Sequence, residues 1–159
     1  MERLARTRLP QPAPADDWTT GTPNSYLRDA VEQWRTSFDW RAEEQRINSV
    51  PHFITEINGA PIHFIHVKSE RPDAKALLLA HNYPGSSVDY LGMIEHLRDF
   101  DLVIPDAPGY GFSNPVADAG WTSARVAEAY DALMRRLGYS QYASTVPTTA
   151  PSSPGSSGC

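Results

Sequence analysis

Hydrophobic positions change period several times along the chain, and each change marks an element. Leu27, Ala30 or Val31, and Trp34 share one helical face, with Asn24 or Thr22 placed as the N-cap. Asp39 caps a second short helix running to about Ile47, where Asn48 stops it. The period then drops to two: Phe53, Thr55 and Ile57 lead into Asn58-Gly59, and Ile62, Phe64 and His66 follow. Asn-Gly between alternating segments predicts a hairpin with a type I′ turn, because both central residues need positive φ. Ala76–Ala80 is a continuous apolar run, as expected of a parallel strand covered on both faces. Helical spacing returns at Val88, Leu91, Ile94 and Leu97, with Asp89 in the first turn, where the helix dipole favours it. A strand at Leu102–Ile104 follows. A helix from Trp121-Thr122-Ser123 then carries Val126, Tyr130, Leu133, Met134 and Leu137, with Thr122 as N-cap, Trp121 and Val126 as a staple and Gly138 as stop. The order is two helices, a hairpin, then alternating strands and helices, which defines an α/β fold behind a helical segment.

Composition narrows the function classes. The formal charge of -5 leaves no basic footprint, so nucleic acid and anionic membrane surfaces are not expected partners. The single cysteine, Cys159, has no intrachain partner, and a reducing, cytoplasmic setting fits. No stretch approaches the ~20 apolar residues of a membrane span, and the Arg-containing start is not a secretory signal. Arg3–Arg8 alternates apolar and basic residues and reads like the end of a helix that starts before this chain does; Pro10, Pro12 and Pro14 break it and begin an extended linker to Gly21 anchored by Trp18. Trp34, Trp40 and Trp121 sit at helical or capping spacings and read as core. From Ser144 onward the chain is almost entirely Ser, Thr, Pro and Gly, a composition expected to be disordered.

The stretch that carries chemistry is His81-Asn82-Tyr83-Pro84-Gly85-Ser86, a loop at the carboxyl end of a predicted central strand, where α/β sheets bind ligands. Pro84 restricts Tyr83 and supplies no N–H of its own, so the Tyr83 N–H can point outward as half of an oxyanion hole. This loop resembles the His-Gly-x-Pro turn of the α/β-hydrolase epoxide hydrolases, with Asn82 in the usual Gly position. The resemblance extends from about Met1 to Tyr142, through Tyr26–Trp34, Phe38-Asp39-Trp40-Arg41, Ile62-His63-Phe64-Ile65-His66-Val67 and Ala107-Pro108-Gly109-Tyr110-Gly111-Phe112-Ser113. It points to the microsomal and juvenile-hormone branch.

The resemblance implies the N-terminal half of an α/β-hydrolase fold behind a helical meander. It divides the chain into residues 1–50 (meander), 51–142 (partial hydrolase core) and 143–159 (low-complexity tail). It also implies the family reaction, hydrolysis of an epoxide to a diol through an Asp ester, of the detoxification type and without a cofactor. His81, Tyr83 and Pro84 are the oxyanion-hole candidates. The nucleophile, its His and acidic partners and the cap tyrosines have no counterpart in the matching stretch, so no catalytic residue is assigned. A frameshift or truncation near Ala143 is the simplest explanation.

Other residues have simpler readings. His81 orients its turn, and Asp106 holds the loop before Pro108-Gly109. His63 and His66 lie on opposite strand faces and cannot share a metal. Gly109-Tyr110-Gly111-Phe112-Ser113-Asn114 matches neither a dinucleotide fingerprint nor a nucleophile elbow. The favoured reading is an incomplete epoxide hydrolase acting on a small epoxide, with neither nucleic acid nor a membrane anchor, its C-terminal half supplied in trans if at all. The competing readings are an interaction module docking a partner along an open sheet edge, and an autonomous hydrolase with an unrecognised site. With no fifth strand beside Ala76–Ala80, ~400–600 Å² of apolar surface would be left in water, costing roughly 10–15 kcal/mol and predicting a molten chain.

Overall fold

The computed structural model describes residues 2–12 and 14–145. The chain forms two compact units, Met1–Gln45 and Arg46–Cys159. The low-complexity segment expected to be disordered lies, from residue 146, outside the described residues.

The first unit holds α1 (Glu2–Ala5), α2 (Asn24–Thr36) and most of α3 (Trp40–Ile47). Asp39 caps α3 as its position suggests, accepting from the N–H groups of Arg41 at 2.8 Å and Ala42 at 3.4 Å. The cap of α2 differs from expectation. Pro23 occupies the N-cap position without a side-chain bond. The carboxylate of Asp16, eight residues before Asn24, accepts from the Asn24 N–H at 2.6 Å and the Ser25 N–H at 3.3 Å. A carboxylate at a helix N-terminus satisfies orphan donors and is favoured by the dipole, so it displaces the neutral Asn and Thr caps. Asn24 instead donates its side-chain amide to the Pro10 carbonyl. Trp18 is not a buried anchor: it is 65% exposed and meets Tyr26 edge-on at 5.1 Å. Trp34 and Trp40 are likewise more than half exposed rather than core.

The second unit is a five-stranded sheet in the order β1-β2-β4-β3-β5. Its strands are β1 (His52–Ile57), β2 (Ala60–Val67), β3 (Lys75–Leu78), β4 (Phe100–Pro105) and β5 (Tyr142–Ser144). β1 and β2 form the expected hairpin, closed at Ile57↔Ala60, with φ of 53° at Asn58 and 78° at Gly59. β2 and β4 are antiparallel, whereas β3 runs parallel to both β4 and β5.

Side chains alternate across this sheet into two cores. Ala76, Leu78, Ala80 and Val103 join Ile62 and Phe64 under α5 (Ser123–Arg136), which contributes Ala129, Tyr130, Leu133 and Met134. Thr122 caps α5 by accepting from the Arg125 N–H at 3.3 Å, and Gly138, at φ 92°, follows its end. Trp121 and Val126 pack against this core, and the Arg125 guanidinium lies 4.0 Å above the Trp121 ring. On the opposite face Ile65, Leu79, Leu102 and Ile104 meet Leu91 and Ile94 of α4 (Leu91–Ile94), which lies between two 3₁₀ turns.

Two expectations change here. The period-two pattern in β2 suggested one buried face, yet His63 and Ile65 are as buried as Ile62 and Phe64, because α4 and the β4 loop cover the second side. Nor is β3 left open. β5 pairs with it at Ala76↔Tyr142, Leu77↔Ala143 and Leu78↔Ser144, and Thr145 extends the contact through the Ala80 N–H to its hydroxyl at 2.9 Å. The bare apolar surface behind the expectation of a molten chain is therefore absent from β3.

Candidate functional site

β3 delivers its carboxyl end to the loop 81–86, which lines a cleft of about 520 Å³ with His81, Asn82, Tyr83, Pro84, Gly85, Asp89 and Tyr90. The loop is fixed at several points. The Gly85 N–H donates to the Asn82 carbonyl at 2.7 Å across a cis Tyr83-Pro84 peptide. Ser86 and Asp89 form a capping box, with the Ser86 N–H donating to Asp89 Oδ2 at 3.0 Å. A Cβ on Gly85 would strike that same Asp89 carboxylate. The Tyr90 hydroxyl donates to the Ala80 carbonyl at 2.8 Å, tying the 3₁₀ turn to the end of the strand.

Within this frame the Tyr83 N–H makes no hydrogen bond to any described residue. Its side chain is 73% exposed and its ring meets Tyr110 edge-on at 6.2 Å. A backbone donor held at the mouth of a cleft and left unspent is what anion stabilisation requires.

His81 is buried and joins two loops. Its Nε2 accepts from the Ala107 N–H at 3.0 Å, so the hydrogen of a neutral ring sits on Nδ1, 3.1 Å from the Asn82 carbonyl. Both ring nitrogens are committed, and His81 serves the geometry of the turn.

Asp106 directly follows β4, is fully buried, and is equally committed. Its Oδ1 accepts from the Ser87 N–H at 2.6 Å, and its Oδ2 accepts from the Phe112 N–H at 2.8 Å and faces His63 Nδ1 at 2.9 Å. Burial by itself pushes this carboxyl up. The bonds from His63, Phe112 and Ser87 together outweigh burial and hold it below the usual carboxylate range. The neighbouring Gly111, at φ 48°, leaves room for it, since a Cβ there would collide with the carboxylate. Asp106 is thus a loop-holding group, as its position before Pro108-Gly109 suggests.

The two histidines of β2 diverge as strand geometry requires. His63 meets Asp106, whereas His66 Nε2 lies 3.0 Å from the Tyr139 hydroxyl, which donates to Asp101 at 2.8 Å. What the residue pattern did not reveal is His52, whose Nδ1 is 2.9 Å from His63 Nε2. The signal was present in the hairpin register. His52 pairs with Ile65 and Ile54 with His63, so the two histidines are diagonal neighbours on one face.

A mixed sheet with a donor loop after β3 and helices on both faces has the layout of an α/β hydrolase. Comparison with known proteins agrees: a model described as the α/β-hydrolase fold matches residues 75–146, and one described as the epoxide hydrolase N terminus matches residues 1–90. The chain belongs to the epoxide hydrolase family. It is 34% identical over 156 residues to epoxide hydrolase 1 of Sus scrofa, a match covering 89% of this chain and 34% of that protein. Among solved structures, it superposes on the Aspergillus niger epoxide hydrolase with a TM-score of 0.78 at 34% identity, covering 89% of this chain and 40% of that one. For the juvenile hormone epoxide hydrolase of Bombyx mori the TM-score is 0.77 at 32% identity, covering 90% and 41%. The chain therefore spans about a third of the length of the curated relatives it matches. No helix among the described residues is long and apolar enough to cross a membrane.

Proposed function

We propose that this chain supplies the oxyanion-donor half of an epoxide hydrolase, and that the described residues alone do not open an epoxide. The observation that carries the proposal is the unspent Tyr83 N–H at the cleft, framed by His81 and Pro84. In the reaction proposed for the complete enzyme, a carboxylate opens the epoxide and forms an ester, and water then cleaves that ester. The tetrahedral intermediate of the second step places negative charge on the former carbonyl oxygen. The Tyr83 N–H, needing no reorganisation, would stabilise it, and removing one such donor typically costs a factor of about 10²–10³ in kcat.

The nucleophile is another matter. Of the carboxylates beside the cleft, Asp89 is held by its capping box and Asp106 is buried under three donors. Neither is free to attack. An epoxide as substrate fits the family; a detoxifying role belongs to the same reading, and a cytoplasmic setting rests on the single cysteine.

The test is turnover by the purified chain. With styrene oxide as substrate, diol should form no faster than in buffer. Diol formation by the purified chain above the rate in buffer would overturn this division of labour.

A further inference from the structure

Asp106, His63 and His52 form an unbroken hydrogen-bonded chain that ends on the Ile47 carbonyl, 2.8 Å from His52 Nε2. Its hydrogens can be counted. A carbonyl oxygen only accepts, so His52 Nε2 carries a hydrogen. At the other end Asp106, already accepting from two backbone N–H groups, is a carboxylate and only accepts, so His63 Nδ1 carries one too. Two neutral imidazoles have two N–H hydrogens, and both are now placed. The remaining contact, His52 Nδ1 to His63 Nε2 at 2.9 Å, would then bring two bare lone pairs together. A third hydrogen must lie between them.

We propose that His52 and His63 hold one extra proton between them as a buried imidazolium opposite Asp106, and that this charged trio positions the two loops beside the cleft. Burial alone opposes such a charge, and the Asp106 carboxylate 2.9 Å from His63 Nδ1 compensates it. The two imidazole rings stack at 5.1 Å with 28° between their planes, and the Phe112 ring covers His63 edge-on at 5.0 Å. The side chain of His63 is 5% exposed and that of Asp106 is 0% exposed. Tyr130, facing Asp106 from α5, stays a neutral phenol, its ionisation opposed first by burial and then by the Asp106 charge. The Ser113 hydroxyl closes the arrangement by accepting from the His63 N–H and donating to the Asp106 carbonyl, each at 2.8 Å.

The consequence is positional. Asp106 holds Ser87, directly after the 81–86 loop, and Phe112, in the loop after β4, so its charge balance governs both. Asp106, His63 and His52 are positioning residues. The importance of those loops for catalysis rests on the oxyanion reading above, whereas the proton count does not.

Long-range proton–nitrogen spectra of the full chain at pH 7, with the histidine rings labelled, test the count directly. Three of the four ring nitrogens of His52 and His63 should be protonated. Two protonated nitrogens, or a bare Nδ1 on His63, would overturn the proposal. His52→Phe removes the acceptor and should return His63 to a single N–H while amide exchange at Ser87 and Phe112 rises at least tenfold. His52→Gln, whose amide oxygen can accept the same bond, should restore protection at both. Unchanged exchange in His52→Phe would refute the positioning role. Because these spectra need no ligand, their failure is distinguishable from a failure of Tyr83 to respond to an anion.

Discussion

Asp106 shows how much a single buried carboxylate can organise. Removing one partner of a buried charged pair typically costs about 3–5 kcal/mol, because the other partner is left uncompensated. Asp106→Asn should therefore destabilise the chain by about that amount at neutral pH in urea unfolding. The pH dependence has a definite sign. The folded-state value lies below the unfolded value of ~3.9, so the contribution is complete above the unfolded value and is lost as pH falls through the folded one. Stability plotted against pH should have a shallower acid limb in Asp106→Asn than in the wild type, and an equally steep limb would contradict the assignment. The loop-holding role was legible from the Pro108-Gly109 that follows. His52 was not, because its role depends on a diagonal contact across the hairpin and on a partner just past the end of β4.

At the scale of elements, local chemistry was readable wherever it acts over a few residues. The Asn58-Gly59 turn, the Asp39 cap and the Thr122 cap all lie within three residues of the groups they serve. The α2 cap escaped because it comes from Asp16, across a Pro-rich linker whose course no propensity fixes. The second buried face of β2 escaped for a related reason: its cover comes from elements distant in sequence, and a period of two reports only one face. Thr122→Ala should lower stability by about 1 kcal/mol, the usual cost of removing a hydroxyl N-cap. Thermal unfolding followed by circular dichroism would register it, and an unchanged midpoint would argue that the cap contributes nothing to α5.

At the scale of the whole chain, β5 alters the stability expected from sequence alone. Three residues of parallel pairing complete the outer side of β3, while α5 and α4 cover its two faces. The sheet unit should unfold in one cooperative transition without binding a hydrophobic dye, and a broad, dye-binding transition would contradict this. As a short edge strand, β5 should exchange its amides fastest among the five strands. The central claim, however, concerns Tyr83. Its most direct test is an amide-resolved titration of the chain with a small phosphonate, a tetrahedral anion resembling the ester-hydrolysis intermediate. The Tyr83 amide proton should move downfield saturably, and equally in Tyr83→Phe, because the donor is the backbone. A Tyr83 amide that does not move, or a response lost in Tyr83→Phe, would contradict the account.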